Sequence, residues 1–543
     1  MGRLKRIVSV PVLIAVAGVA LVLYLWVSAR PLWLDEEMIA LNIRDRSFAN
    51  LSGRLWLDQS APFGWLLVQR LILLAAGSSE LAVRAVPALF GVATVLVAFF
   101  IGQRWLTAAG SAVFVLLCSV GQWISFYSIE LKSYSADTFW GLWLPALAVS
   151  AAGAASPEAR RRGLLIWAIA AAAGQWFSLG ALLVLPACFA VLALSLRRHP
   201  ETFRPLATAL FVVTASFALH YLVAIRYAQS NESLQQFWQF ALPPPDAGIS
   251  GSLRWLFSQM APFASKPGGT TYAALFWMSA VLGVAFASAR LLGVAAGLVV
   301  LSGFALAALR VVPLYERLSL WFLPALYLAI ALFADRAVWF LRQKPLKRSW
   351  MNLAGAGLVV AVVAPVSVDI ANRGIHDVRV ARPRTSNRDT DDRAAVAWLM
   401  QQRQPGDTLI TTRHAQPAIW WYGGVPISEA GGRQFSDGGR ILVAEYHTSE
   451  DRCREFEKAI AGHRRILVYF GFVDTPLGFD DLLLERLSKF GTVIDLRHFG
   501  GWSRAAVIDT APSAGSNLFW EDAGKDTGTW LKGCSALGQA GAW

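Results

Sequence analysis

The stretch Leu164–Leu196, LLIWAIAAAAGQWFSLGALLVLPACFAVLALSL, contains no charged residue, yet Arg160–Arg161–Arg162 stand just before it and Arg197–Arg198 directly after. It is too long for one upright helix across about 30 Å of hydrocarbon and rather short for two. Arginine clusters collect on the cytoplasmic side of membrane proteins, so both flanks belong on one face and an even number of crossings separates them. Two short helices turning near Gln175–Gly180 satisfy that parity. Working outward, apolar runs long enough to span recur near 7–28, 83–103, 107–126, 136–155, 205–225, 271–289, 291–309, 318–340 and 351–370. With the pair in 164–196 they make about eleven spans, and the fold class is an α-helical polytopic membrane protein.

Composition agrees. Of 543 residues 55% are hydrophobic and only 16% charged, which excludes an ordinary cytosolic protein as well as disordered and fibrous chains. The formal charge of +13 would suggest nucleic acid on a soluble protein. Here Arg3, Lys5, Arg6, the two arginine clusters, Arg204, and Arg342, Lys344, Lys347 and Arg348 all fall on one predicted side, so the charge reports orientation and no nucleic-acid partner is expected. The N-terminus is then cytoplasmic. No small-residue cleavage site precedes Arg30, so residues 7–28 read as an uncleaved first span rather than a signal peptide.

The predicted domains are a transmembrane region over 1–370, with outer loops at about 29–82 and 227–270, and an extracytoplasmic α/β domain over 371–543. In that tail, helices are expected at 393–403, 451–461 and 477–489. Strands are expected at 407–412, Ile441–Tyr446, Ile466–Phe470, Thr492–Leu496 and Ala505–Ile508. No Gly-rich strand-to-helix loop is present, which favours a recognition or stabilising role over nucleotide binding. Cys118 and Cys188 lie in spans as packing residues; Cys453 and Cys534 lie in the tail, where an oxidising compartment permits a disulfide that the spacing does not demand. With no CxxC, HExxH or histidine cluster, no protein metal site is expected.

The polar residues near the spans gather at the outer ends, not at the bilayer midplane where a transporter would place them, and no internal repeat is visible. Three clusters stand out. Leu32-Trp33-Leu34-Asp35-Glu36-Glu37 follows the first span, with Trp33 expected to anchor at the membrane surface; on a helix Asp35 and Glu36 point about 100° apart, so only one faces a given pocket. Two amphipathic helices, 36–51 and 62–78, are expected after it, joined through Asp58-Gln59-Ser60-Ala61-Pro62. The plainer reading is a helix start with first-turn acids favoured by the helix dipole. The second cluster is Tyr127-Ser128-Ile129-Glu130-Leu131-Lys132-Ser133-Tyr134-Ser135-Ala136-Asp137, more polar than a turn requires; Glu130 and Lys132 could simply pair, worth at most about 1 kcal/mol at a surface. The third, Val312-Pro313-Leu314-Tyr315-Glu316-Arg317, opens a late span with an arginine that either snorkels or holds a phosphate in a bidentate fork.

LWLDEEMIALNI at 32–43, DQSAPFGWLL at 58–67, SSELAVRAVPALFGVATVLVAFFIGQRWL at 78–106 and YSIELKSYSAD at 127–137 resemble, in order and spacing, the GT-C superfamily of membrane glycosyltransferases. Within it the chain is similar to the branch of protein O-mannosyltransferases and lipid A aminoarabinose transferases. The resemblance covers about residues 7–340, with Phe237-Trp238, Pro243–Pro245 and Tyr315–Leu323 matching more loosely. It implies a GT-C-like bundle and transfer of a sugar from a polyprenyl phosphate to an acceptor at the outer face of the bacterial cytoplasmic membrane. The family's Asp-Glu pair falls on Asp35 and Glu36, and its Glu-x-(Arg/Lys)-x-Tyr motif on Glu130, Lys132 and Tyr134. The late-span arginine falls on Arg317. The family's first-loop His-Pro-Pro is Ser60-Ala61-Pro62 here, and the tail departs from the family.

That assignment implies roles. A sugar phosphodiester already carries a good leaving group, so the reaction needs a carboxylate to take the acceptor's proton and cations for the departing phosphate. Asp35 is the expected base, with Glu36 beside it. Lys132, Arg317 and then Arg84 are the expected phosphate ligands. Glu130, Tyr134 and Gln59 are expected to position the acceptor or the cations. Attack opposite the phosphate predicts inversion. No cofactor is required; a divalent cation bridging Glu130 and the phosphate is compatible with this set. The expected partners are a polyprenyl-phosphate-linked sugar, membrane lipids, and a glycan, lipid or protein acceptor. A lipid-linked sugar flippase without glycosyl transfer, and a scaffold that has lost activity, are the rivals.

Overall fold

The run that decides the parity folds as two helices, Pro157–Gly174 and Leu179–Leu196, joined by a four-residue turn, in the computed structural model of the chain. Residues 9–342, 349–380, 389–428, 432, 434–444, 464–472, 479–488 and 491–510 are described. A helix stands at each of the other expected positions: Val10–Val27, Ala85–Trp105, Ala108–Val120, Tyr134–Ala152, Phe203–His220, Ala273–Ala285, Arg290–Ala308, Leu323–Arg342 and Ser349–Val380. Among the described residues, seven helices are long and apolar enough by themselves to cross a bilayer. The protein is a multi-pass membrane protein with a small mixed sheet. The basic residues at 3–6 and 344–348, the expected helix at 451–461, Cys453 and Cys534 lie outside the described residues.

The chain divides into two compact units. The first comprises Met1–Ser28, Ser52–Arg54 and Ser60–Val380 and contains all the spans. Its helices approach closely through small residues, as helices do where lipid supplies no hydrophobic drive between them. A Cβ on Gly141 would collide with the Trp321 carbonyl, and one on Gly283 with the Ala329 carbonyl. Gly141→Ala is therefore expected to cost about 1–3 kcal/mol by overpacking and to lower the thermal midpoint of the purified protein. Gly357→Ala, where a methyl meets nothing within 4 Å, should leave that midpoint unchanged or raise it.

Acids within the spans serve the bundle itself. Asp137 accepts from Ser178 Oγ at 2.6 Å and from the Gly180 N–H at 2.9 Å, capping the first turn of Leu179–Leu196. Asp335 accepts from the Thr107 hydroxyl at 2.7 Å and its N–H at 3.1 Å, at the start of Ala108–Val120. Asp369 accepts from the hydroxyls of Thr270 and Thr271 and the Thr271 N–H. Asp377 accepts from Gln122 at 2.6 Å. Each carboxylate thus satisfies the free N–H groups of a helix start or the polar groups of a neighbouring turn.

The second unit comprises Ala29–Leu51, Leu55–Gln59 and Ala381–Trp543, so most of the first long loop clusters with the tail. Its sheet contains β1 (Thr408–Thr412), β2 (Ile441–Ala444), β3 (Arg465–Phe470), β4 (Gly491–Phe499) and β5 (Ser503–Thr510), in the order β2-β1-β3-β5-β4. β2, β1 and β3 run parallel, while β5 pairs antiparallel with both β3 and β4. All five strands stand where they are expected from the sequence, as do the helices Asp392–Gln402 and Phe479–Ser488. The seven-residue helix Gln416–Tyr422 is an addition that its length hides from periodicity.

Candidate active site

The acidic cluster starts the helix Leu34–Asp45, with Asp35, Glu36 and Glu37 in its first turn and Trp33 in the N-cap position making no side-chain cap. The first-turn acids favour this helix start through the dipole. The helix is enclosed on nearly every side. From residue 30 to 43 every residue is buried except Asp35, which is half-exposed. Of three adjacent carboxyls, one alone keeps surface open to a substrate. Trp33 is not an exposed anchor: it is buried, its ring 6.1 Å from that of Phe472, because the loop that carries it belongs to the same unit as the sheet.

Arg44 fixes the far end of this helix. Its guanidinium forks onto Asp45 at 2.7 and 2.8 Å and donates to the carbonyls of Trp420 and Val425 at 3.0 and 2.7 Å. A cation there satisfies the last carbonyls of Gln416–Tyr422 and matches its dipole. The Tyr422 hydroxyl oxygen in turn accepts from the Leu32 N–H at 2.7 Å, and Arg393 donates to the Ala29 carbonyl at 3.0 Å. Asn42 holds the returning segment, accepting from the Trp56 N–H at 2.8 Å and donating to the Trp56 carbonyl at 3.1 Å. That pinning brings Gln59 against the Met38 sulfur at 3.3 Å, one turn along the helix from Asp35. Just before Gln59, Leu57 and Asp58 both take positive φ values, 61° and 50°, a conformation that costs energy and persists where surrounding structure enforces it.

In the membrane unit, Glu130 and Lys132 occupy the turn between Gln122–Tyr127 and Tyr134–Ala152, where the Lys132 N–H donates to the Glu130 carbonyl at 2.6 Å. Both are buried, as is Arg84 at the junction before Ala85–Trp105. Tyr134 meets Tyr127 edge-on at 5.1 Å, and Tyr127 stacks on Trp123 at 5.4 Å. Arg317 lies in the 3-10 turn Glu316–Ser319, half-buried, its guanidinium 5.4 Å from the centre of the Trp238 ring. Trp238 and Phe240 both pack on Tyr315, and the Leu314 N–H bonds the Ala241 carbonyl at 2.9 Å. The two loosely matching stretches of the sequence are therefore one clasp around Arg317.

Asp35, Glu36 and Gln59 thus belong to the second unit, and Arg84, Glu130, Lys132, Tyr134 and Arg317 to the first. Glu36 is fully buried, in keeping with the 100° offset from Asp35. Sequence reasoning missed Asn42, whose signal was only that it is a polar residue on an apolar helix. It also left His220 without a role: His220 is buried, stacks on Trp176 at 4.7 Å and accepts from the Phe63 N–H at 3.4 Å, directly after Ser60-Ala61-Pro62. Among the described residues no three His, Cys, Asp or Glu side chains converge as a metal cage.

A helical bundle of many spans with a small mixed sheet is a GT-C-like fold, shared with solved structures to which the chain is similar. In particular it is similar to the crystal structure of ArnT from Cupriavidus metallidurans in the apo state, at 14% identity and a TM-score of 0.51 over 92% of this chain and 98% of that one. It matches the same protein bound to undecaprenyl phosphate at 14% identity and a TM-score of 0.50 over the same shares of the two chains. A mycobacterial arabinofuranosyltransferase, AftD, aligns over 92% of this chain and 40% of its own at 14% identity, with a TM-score of 0.46. No protein-family model and no curated protein matches by sequence.

Proposed function

We propose that the protein is an inverting glycosyltransferase that moves a sugar from a polyprenyl-phosphate donor to an acceptor at the outer face of the bacterial cytoplasmic membrane. The observation that carries this reading is that, in the buried stretch from residue 30 to 43 that opens the first loop, Asp35 alone keeps exposed surface. A neighbour of the same fold is bound to undecaprenyl phosphate, which supports a lipid phosphate as the donor's carrier.

In this reading Asp35 accepts the proton of the acceptor hydroxyl while its oxygen attacks the anomeric carbon. The bond from that carbon to the phosphate oxygen breaks, and its electron pair leaves on a phosphate monoester. General-base help of this kind is worth roughly 10²–10⁴ in rate. Lys132, Arg317 and Arg84 neutralise the growing phosphate charge. Glu130 and Tyr134 orient Lys132 or the acceptor, Gln59 orients the acceptor beside Asp35, and Glu36 supports the Asp35 helix from within. A divalent cation between Glu130 and the phosphate would add to that neutralisation. The acceptor is an envelope glycan, a lipid or a protein, and the sugar a hexose or pentose.

The acids of the spans speak against a conduit, because Asp137, Asp335, Asp369 and Asp377 are each committed to hydrogen bonds within the bundle. The test is to offer the purified protein, in nanodiscs, a panel of labelled polyprenyl phosphate sugars. Release of polyprenyl phosphate with a new glycosidic bond supports the transferase. Movement of labelled lipid across the bilayer without any new bond would make it a flippase.

A further inference from the structure

Glu37 has no part in the transfer chemistry above, yet it is the most unusual acid of the second unit. It is 1% exposed, and among the described residues neither of its carboxyl oxygens meets a hydrogen-bond donor. What lies beside it is another carboxyl, that of Asp392, itself 2% exposed at the start of the helix Asp392–Gln402. Asp392 does have a donor: Ser503 Oγ on β5 gives it a hydrogen bond of 2.6 Å. Two ionised carboxylates in contact in a dry interior are not sustainable, since each buried charge costs several kcal/mol even when paired with a cation.

We propose that Glu37 is held as a neutral carboxylic acid donating to the Asp392 carboxylate, and that this acid–carboxylate pair positions the helix on which Asp35 stands. The hydrogen bonds divide the roles. Asp392, which has the Ser503 donor, holds the charge; Glu37, which has none, holds the proton. The pair rests on the transferase reading only for its consequence at Asp35. Glu37 is two residues beyond Asp35 on the same first turn, so about 200° separates them: one faces inward to the pair while the other stays accessible.

Every packed element contributes to the surroundings. Asp35 and Glu36 are the other acids on the same turn, and Arg44 further along pairs with Asp45. Asp391 caps its own helix through the Ala394 N–H, and Arg393 is directed to the Ala29 carbonyl. From β3, Tyr469 is wholly buried in the same cluster; Thr390 lies beside Asp392. His414 packs on Phe472, which touches Trp33. Burial first, then the Asp392 charge, raises the Glu37 carboxyl well above its ordinary value. Burial likewise raises Asp392, against the lowering effect of the Ser503 hydroxyl bonded to it.

The sign of the pH effect follows. A carboxyl whose pKa is raised by folding contributes stability that is full below its unfolded value and is lost as pH rises through the folded one. The test is thermal unfolding of the full-length protein in nanodiscs from pH 5 to 9, alongside the transfer rate. Wild type should lose midpoint as pH rises. Glu37→Gln keeps a neutral donor, so its midpoint should stay flat across that range and its turnover number at pH 7 should remain within about twofold of wild type. Glu37→Ala should lower turnover by about tenfold to hundredfold with donor KM unchanged, as small misplacements of a reacting group do. If Glu37→Gln unfolds with the same pH slope as wild type, the neutral acid is wrong. If Glu37→Ala transfers at the wild-type rate, the positioning role is wrong. Should no transfer be found in any variant, a flat Glu37→Gln midpoint still establishes the pair, so the failure would belong to the assigned reaction.

Discussion

Replacing Asp35 by asparagine is expected to lower turnover by about 10²–10⁴-fold while donor binding and thermal midpoint stay at wild-type values. The amide has the carboxylate's shape but cannot take the acceptor proton, and loss of a positioned base costs that much. At 1.36 kcal/mol per tenfold, the loss corresponds to roughly 3–5 kcal/mol of transition-state stabilisation. The structure sharpens the expectation because Asp35 is half-exposed on a helix whose other residues from 34 to 43 are buried, so asparagine removes little packing. Glu36→Gln is the informative companion. Glu36 is fully buried, and its replacement should act mainly on stability. Full turnover in Asp35→Asn would remove Asp35 from the reaction, and loss confined to Glu36→Gln would transfer the base role to Glu36.

What the sequence made legible follows from the range of each interaction. Span positions depend on local hydropathy alone, and the run 164–196 with its arginine flanks gave the correct pair of helices. Strand positions in the tail followed from short apolar and β-branched runs of four to nine residues. The angular argument that separates Asp35 from Glu36 needs only the helical repeat. Contacts made far along the chain left no such trace. Nothing near Glu37 announces Asp392, and nothing in Trp33 distinguishes a membrane anchor from a core residue packed on Phe472. Asp137 looked like part of the polar cluster because it follows Tyr134, but Ser178 and Gly180, which occupy it, lie in another helix start.

Arg317→Ala is expected to weaken donor binding by about tenfold to hundredfold, the consequence of losing hydrogen bonds to a charged group worth about 1.5–3 kcal/mol. The clasp formed by Trp238, Phe240 and Tyr315 holds the guanidinium from one face, 5.4 Å from the Trp238 ring centre. Stacking of this kind orients the planar fork, whose geometry matches a phosphate in two hydrogen bonds. Lysine offers only a point charge, so Arg317→Lys should restore part of the affinity and not all of it. Binding of a polyprenyl phosphate, measured by titration into nanodiscs, separates this role from a purely structural one. A structural arginine would lower the thermal midpoint in both variants with the affinity of the folded protein unchanged, and that result would withdraw Arg317 from the phosphate. Weaker binding at an unchanged midpoint, graded from arginine through lysine to alanine, would assign it there, and turnover at saturating donor should then fall less than affinity because the contact is already made in the ground state.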